Sequence, residues 1–105
     1  MARLIYAQTE AFPKSETFGL RMQLRRSAVS IASHIAEAHG RLNDVEMRRG
    51  LVSTRAVLNE LETQAELAGS LNFFPENVAE SLLELSSEFG KLINGLIGVL
   101  EPDSR

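Results

Sequence analysis

Residues 75–102, PENVAESLLELSSEFGKLINGLIGVLEP, decide the fold class. Val78, Leu82, Leu85, Phe89, Leu92, Leu96 and Val99 recur at alternating steps of four and three, the spacing of one helix face. A second stripe runs beside the first through Leu83, Gly90, Ile93, Ile97 and Leu100. So wide an apolar face is more than one neighbouring helix needs, and it predicts burial against several helices or subunits. Leu85, Phe89 and Leu92 are expected in the core. Pro75 suits a first helical position, Glu76 suits the positive helix N-terminus, and Pro102 marks the end.

Upstream, the same spacing recurs. Met47, Leu51, Thr54, Leu58, Leu61, Ala65 and Ala68 share a face of a helix predicted over 44–68. Asn43 is a suitable N-cap with Glu46 three residues on, and Gly69 can close the helix in a left-handed conformation. A helix over 18–39 lines up Leu20, Leu24, Ala28, Ile31, Ile35 and Ala38, with Gly40 as its C-cap. A first helix over 2–11 aligns Leu4, Ala7 and Ala11 and stops before Phe12-Pro13. At barely three turns it is too short to persist alone. No segment alternates as a strand does. Short connections make sequential helices antiparallel neighbours, so the expected fold is all-α: a single domain over 1–105, an up-down-up-down antiparallel four-helix bundle with a short first helix.

The chain has 105 residues, 44% hydrophobic and 24% charged, enough for one core. It has no cysteine, which excludes disulfides, thiolate metal sites and cysteine nucleophiles. It carries no apolar run of membrane-spanning length, and its first residues are too polar for a signal-peptide core. A soluble, cytoplasmic protein is the expectation.

Sites of chemistry are scarce. His34 and His39 are five apart, not the four that brings two imidazoles onto one metal, and no Glu-x-x-His occurs. Gly-x-Ser-x-Gly and glycine-rich phosphate loops are absent. The glutamates of the last two helices read as solvated faces. No catalytic residue, metal or cofactor is assigned.

The charge distribution is more informative. The net charge is −3, yet residues 14–55 carry eight basic and four acidic residues, while 56–105 carry two basic and nine acidic ones. Such a bipolar chain attracts a polyanion at one end or docks its basic surface on a copy's acidic one. Seven of the eight bases are arginines: Arg21, Arg25, Arg26, Arg41, Arg48, Arg49 and Arg55. Arginine's planar fork suits phosphate and carboxylate, so all seven are candidate nucleic-acid contacts. The alternative is pairing with Glu37, Glu46, Glu60 or Glu62, or between subunits. With helices two and three antiparallel, Arg21 and Arg25 should sit roughly 30 Å from Arg41, Arg48 and Arg49. That makes two modest patches, which a ring of copies would multiply.

Phe18-Gly19-Leu20-Arg21-Met22-Gln23-Leu24-Arg25-Arg26-Ser27-Ala28-Val29-Ser30-Ile31 resembles a known family. It is the bacterial four-helix-bundle proteins encoded in intervening sequences of large-subunit ribosomal RNA genes. That family is similar to the accessory variability proteins of diversity-generating retroelements. The match continues through Ile35-Ala36-Glu37, Gly40-Arg41, Leu58-x-Glu60-Leu61-Glu62-Thr63-Gln64 and Leu92-Ile93-Asn94-Gly95-Leu96-Ile97. The resemblance implies a ring-like homopentamer without enzymatic activity. It also implies binding of structured RNA or DNA, and of a reverse transcriptase or other nucleic-acid-handling protein, through a basic surface. Arg25, Arg26 and Arg41 fall on the family's recurrent basic positions. Family members usually have proline and asparagine where this chain has Ala32 and His34, and glycine at Ala38. They also tend to begin earlier.

The functional reading is therefore a noncatalytic homo-oligomer that binds nucleic acid through arginine patches. The alternative is a structural interaction module whose arginines serve subunit contacts. Nucleic-acid binding should ignore sequence, because the phenylalanines look committed to loops and core and leave no aromatic row for stacking bases.

Overall fold

The computed structural model describes residues 1–40 and 43–100, apart from the side chain of His39. Arg41 and Pro102 lie outside the described residues. Within them are four α-helices and no strand: α1 (Ala2–Thr9), α2 (Leu20–His39), α3 (Asp44–Ser70) and α4 (Glu76–Val99), with a 3-10 turn at Lys14–Glu16 between α1 and α2. The fold is the expected all-α four-helix arrangement.

Each helix packs on the one before it in sequence, and named contacts fix the register. Along α2 and α3, Ser27 meets Gln64 near one end and Ala38 meets Gly50 near the other, an antiparallel pairing. Along α3 and α4, Gly69 faces Ala79, Glu62 bonds Ser86, and Gly90 faces Leu58, again antiparallel. Thr9 and Glu10 reach Arg25 and Arg21, so α1 folds back on α2. At 1.5 Å rise per residue α3 is about 40 Å long, and it sets the 47 Å long axis of the molecule.

Local chemistry explains the helix ends. Asn43 caps α3, its Oδ1 accepting the Glu46 N–H at 2.9 Å. The far end of α3 departs from expectation. Gly69 lies inside the helix, and the left-handed residue is Asn72, with φ 61°. Phe73 N–H donates to the Ala68 carbonyl and Asn72 N–H to that of Gly69, which are the two bonds of a Schellman ending. Gly69 serves packing instead: a Cβ there would stand 3.1 Å from the Ala79 Cβ of α4. Pro75 is the N-cap of α4 and Glu76 its first helical residue, one position later than expected.

The core runs through Leu24, Ala28 and Ile31 of α2, Leu51, Leu58 and Leu61 of α3, and Leu82 and Ile93 of α4. Phe12, Phe73 and Phe74 close one end, with ring centroids 4.8 and 5.4 Å apart. Three expectations fail. On α1 the buried residues are Ile5 and Thr9, whereas of the expected line only Leu4 packs against the core and Ala7 and Ala11 are exposed. Eight residues with apolar side chains nearly all round leave the spacing without a decision, and Arg25 lets Thr9 go inside. Phe18 lies in the turn ahead of α2 rather than in the helix predicted over 18–39, and it is 83% exposed. On α4 the inward line is Leu82, Ser86 and Ile93, whereas Leu85 is 40% and Leu92 68% exposed, and Phe89 is half-buried. The physical reason is that α4 has α3 as its main neighbour and turns the first stripe partly past it.

Candidate functional site

Arginine is the chemical signal in the sequence, and the structure sends the six described ones to different places. Arg21, Arg25 and Arg26 all line one groove, about 650 Å³, on the outer side of α2. Its floor is apolar, with Met22 and Val29 on α2 and Tyr6 contributed by α1.

Arg25 is held firmly. Its Nε donates to Thr9 Oγ1 at 2.8 Å, and its Nη2 donates to the Tyr6 carbonyl at 3.1 Å and to Glu10 Oε2 at 3.0 Å. Its guanidinium also lies 4.5 Å from the centre of the Tyr6 ring, a cation–π distance. Arg21 reaches the same Glu10 oxygen at 3.3 Å. The Arg25 hydrogen bond, with the charges of Arg21 and Arg25, holds the Glu10 carboxyl below its usual value. Both arginines thus serve first to fasten α1 onto α2, a role that asks for no outside anion. Arg26 is exposed and borders a second groove shared with Val57 and Glu60 of α3.

The α3 arginines divide. Arg49 is exposed and lines a groove of about 380 Å³ with His34, Glu37 and Glu46, on the α2 side of α3. Arg48 and Arg55, two turns apart, lie nearer α4, and the register sets Arg48 level with the last turn of α4. A cation beside a helix C-terminus is favourable. The Arg48 Nε is buried with no hydrogen-bond partner among the described residues. Arg55 is exposed. With Gly50 opposite Ala38, this group sits roughly 20–30 Å along the bundle from the α2 groove.

His34 points its Nδ1 at the carbonyl of Ser30, 2.7 Å away. Among the described residues no group of three His, Asp or Glu side chains is placed to hold a metal, and no helix is long and apolar enough to cross a membrane.

Sequence reading missed Glu10 and Thr9 as the partners of Arg25. The available signal was Glu10 as the sole acid of the first thirteen residues, ahead of three arginines at the start of α2. The wide apolar face of α4, expected to be buried against several helices or subunits, is only partly covered within the chain. Leu85, Leu92, Leu96 and Val99 are exposed, and a Cβ at Gly95 or Gly98 would meet nothing within 4 Å.

The fold and its sites define an all-α four-helix protein with an arginine-lined groove and an uncovered apolar side on its last helix. The family model described as 23S rRNA-intervening sequence protein matches residues 1–95, and the chain belongs to that family. Comparison with curated proteins gives no match.

Proposed function

We propose that this protein is a noncatalytic building block that assembles with copies of itself as a ring, a homopentamer, and binds nucleic acid through its arginines. Structured RNA is the ligand, alone or with a nucleic-acid-handling protein such as a reverse transcriptase. The observation that carries the reading is the uncovered side of α4, where Leu92 and Val99 are 68% and 79% exposed beside open glycines. Contiguous exposed apolar surface is characteristic of an interaction site. A family described by an insertion in 23S rRNA is in keeping with a nucleic-acid role. Glu10 already holds Arg21 and Arg25, so exposed Arg55 leads the phosphate candidates of α3, with Arg48 and Arg49 beside it and Arg41 ahead of them in the chain. A ring repeats that small set, and repetition converts weak sites into strong binding.

The test is sedimentation with and without structured RNA across a salt series. An oligomeric mass is expected without RNA, together with RNA binding that weakens steeply as salt rises. In Arg48→Ala/Arg49→Ala/Arg55→Ala, at unchanged oligomer mass, the salt slope should fall by about one unit for each phosphate no longer neutralised. A parent with no salt-sensitive binding at low ionic strength overturns the nucleic-acid part. A second reading would then stand, a structural interaction module, which the Glu10 grip on Arg21 and Arg25 favours. A monomeric parent overturns the assembly.

A further inference from the structure

The apolar floor of the α2 groove and the uncovered stripe of α4 are written in matching patterns. On α2, Met22, Arg26 and Val29 follow one another at steps of four and three, so they share an outward face. On α4, Leu85, Glu88 and Leu92 follow at steps of three and four on the uncovered side. Run antiparallel, the two triplets superimpose: Met22 against Leu92, Arg26 against Glu88, Val29 against Leu85. The first is apolar with a central cation, the second apolar with a central anion. Val29 is 47% exposed, and Leu85 and Leu92 are exposed as well. Within one protomer α4 packs on α3, with its α3-facing line through Ala79, Ser86 and Gly90. The α4 stripe therefore cannot reach the groove of its own chain.

We propose that the α2 groove is the seat for α4 of a second copy of this chain, with Arg26 pairing to Glu88 across the interface. The inference rests on the self-association reading and deepens it by naming the two surfaces that meet. Three features favour this occupant over a free anion. The groove floor is apolar, and apolar surface gains nothing from a phosphate. Arg21 and Arg25 are already engaged with Glu10, which leaves Arg26 as the groove's arginine for an outside acid. Finally, the open glycines Gly95 and Gly98 let a neighbouring backbone come close to α4 beyond Leu92. Because the groove and the stripe are different surfaces, the contact is head-to-tail, and repeating it closes a ring or extends a fibre.

Charge reversal tests the pairing. Arg26 and Glu88 are both exposed, so neither Arg26→Glu nor Glu88→Arg should disturb the core, and far-ultraviolet circular dichroism should show equal helicity. In sedimentation equilibrium at fixed salt, each single reversal should raise the dissociation constant of the assembly about tenfold or more, because like charges then face each other. The double variant Arg26→Glu/Glu88→Arg should recover most of that affinity. Single reversals that leave the association unchanged, or a double variant no better than the singles, overturn the pairing while self-association stands. A parent that is monomeric at every concentration removes both.

Discussion

Helices α3 and α4 carry the same four-and-three spacing and meet opposite fates. On α3, Leu51, Thr54, Leu58, Leu61, Ala65 and Ala68 are all buried. On α4, Leu82 is buried, Val78 and Phe89 are half-buried, and Leu85, Leu92, Leu96 and Val99 stay exposed. The difference is one of neighbours. α3 lies between α2 and α4, and its stripe is covered from two directions. α4 is the outer element, and the part of its face that turns past α3 has nothing against it among the described residues. Spacing thus determines which residues share a face, and the number of packed neighbours determines whether that face is covered.

A matched pair of truncations separates the two helices. Leu61→Ala should destabilise the fold by about 2–5 kcal/mol, the cost of a buried leucine. Leu92→Ala should change the stability of the dissociated protomer by no more than about 0.5 kcal/mol, the range of ordinary surface substitutions. Urea denaturation at high dilution measures both. A large destabilisation at Leu92 would mean that the stripe is covered within the chain after all.

The glycines of α3 and α4 differ in the same way. A Cβ at Gly50 would lie 3.0 Å from the Ala38 Cβ, whereas one at Gly95 meets nothing within 4 Å. Gly95→Ala should therefore stabilise the protomer by about 1 kcal/mol through helix propensity alone. Gly50→Ala should show no such gain, because α2 and α3 must move apart to admit the methyl group. Equal gains at the two sites in thermal unfolding would show that the α2–α3 approach is not tight.

The smallest effect is expected at Glu10. Its pKa is lowered from 4.5 in the folded state by the Arg25 hydrogen bond and by the charges of Arg21 and Arg25. A depressed carboxyl stabilises the fold above its unfolded pKa, and that contribution disappears as pH falls through the lower folded value. Glu10→Gln should accordingly remove a shallow acid-side dependence of stability beginning near pH 4.5. Parallel profiles for parent and variant down to about pH 3 would show that the pairing adds nothing.

Much of the fold was legible because helices of this length repeat their signal. Six of the seven residues assigned to the α3 face are buried, the exception being half-buried Met47. Asn43 caps α3 as its residue type and the following Glu46 suggest. α1 was less legible, since eight residues give two turns of pattern and Thr9 is buried by a hydrogen bond from a residue sixteen positions away. The end of α3 was misplaced because glycine is the commoner left-handed residue, yet Asn72 tolerates that conformation and Gly69 is needed against Ala79. For the site, residue type and clustering pointed to arginine. Which arginines are occupied depends on Glu10 and Thr9, and so on a tertiary contact that no spacing rule encodes.

The Arg25 clamp has a further consequence for how the molecule breathes. An eight-residue helix cannot persist unaided, so α1 is the unit expected to open first, well below the free energy of global unfolding. Its amides should exchange with solvent as a group, ahead of those in the middle of α3. Each such opening releases the guanidinium groups of Arg21 and Arg25 from Glu10 and takes Tyr6 from the groove wall. The electrostatic face that α2 turns outward is consequently a property of a conformational state, set by whether α1 is docked.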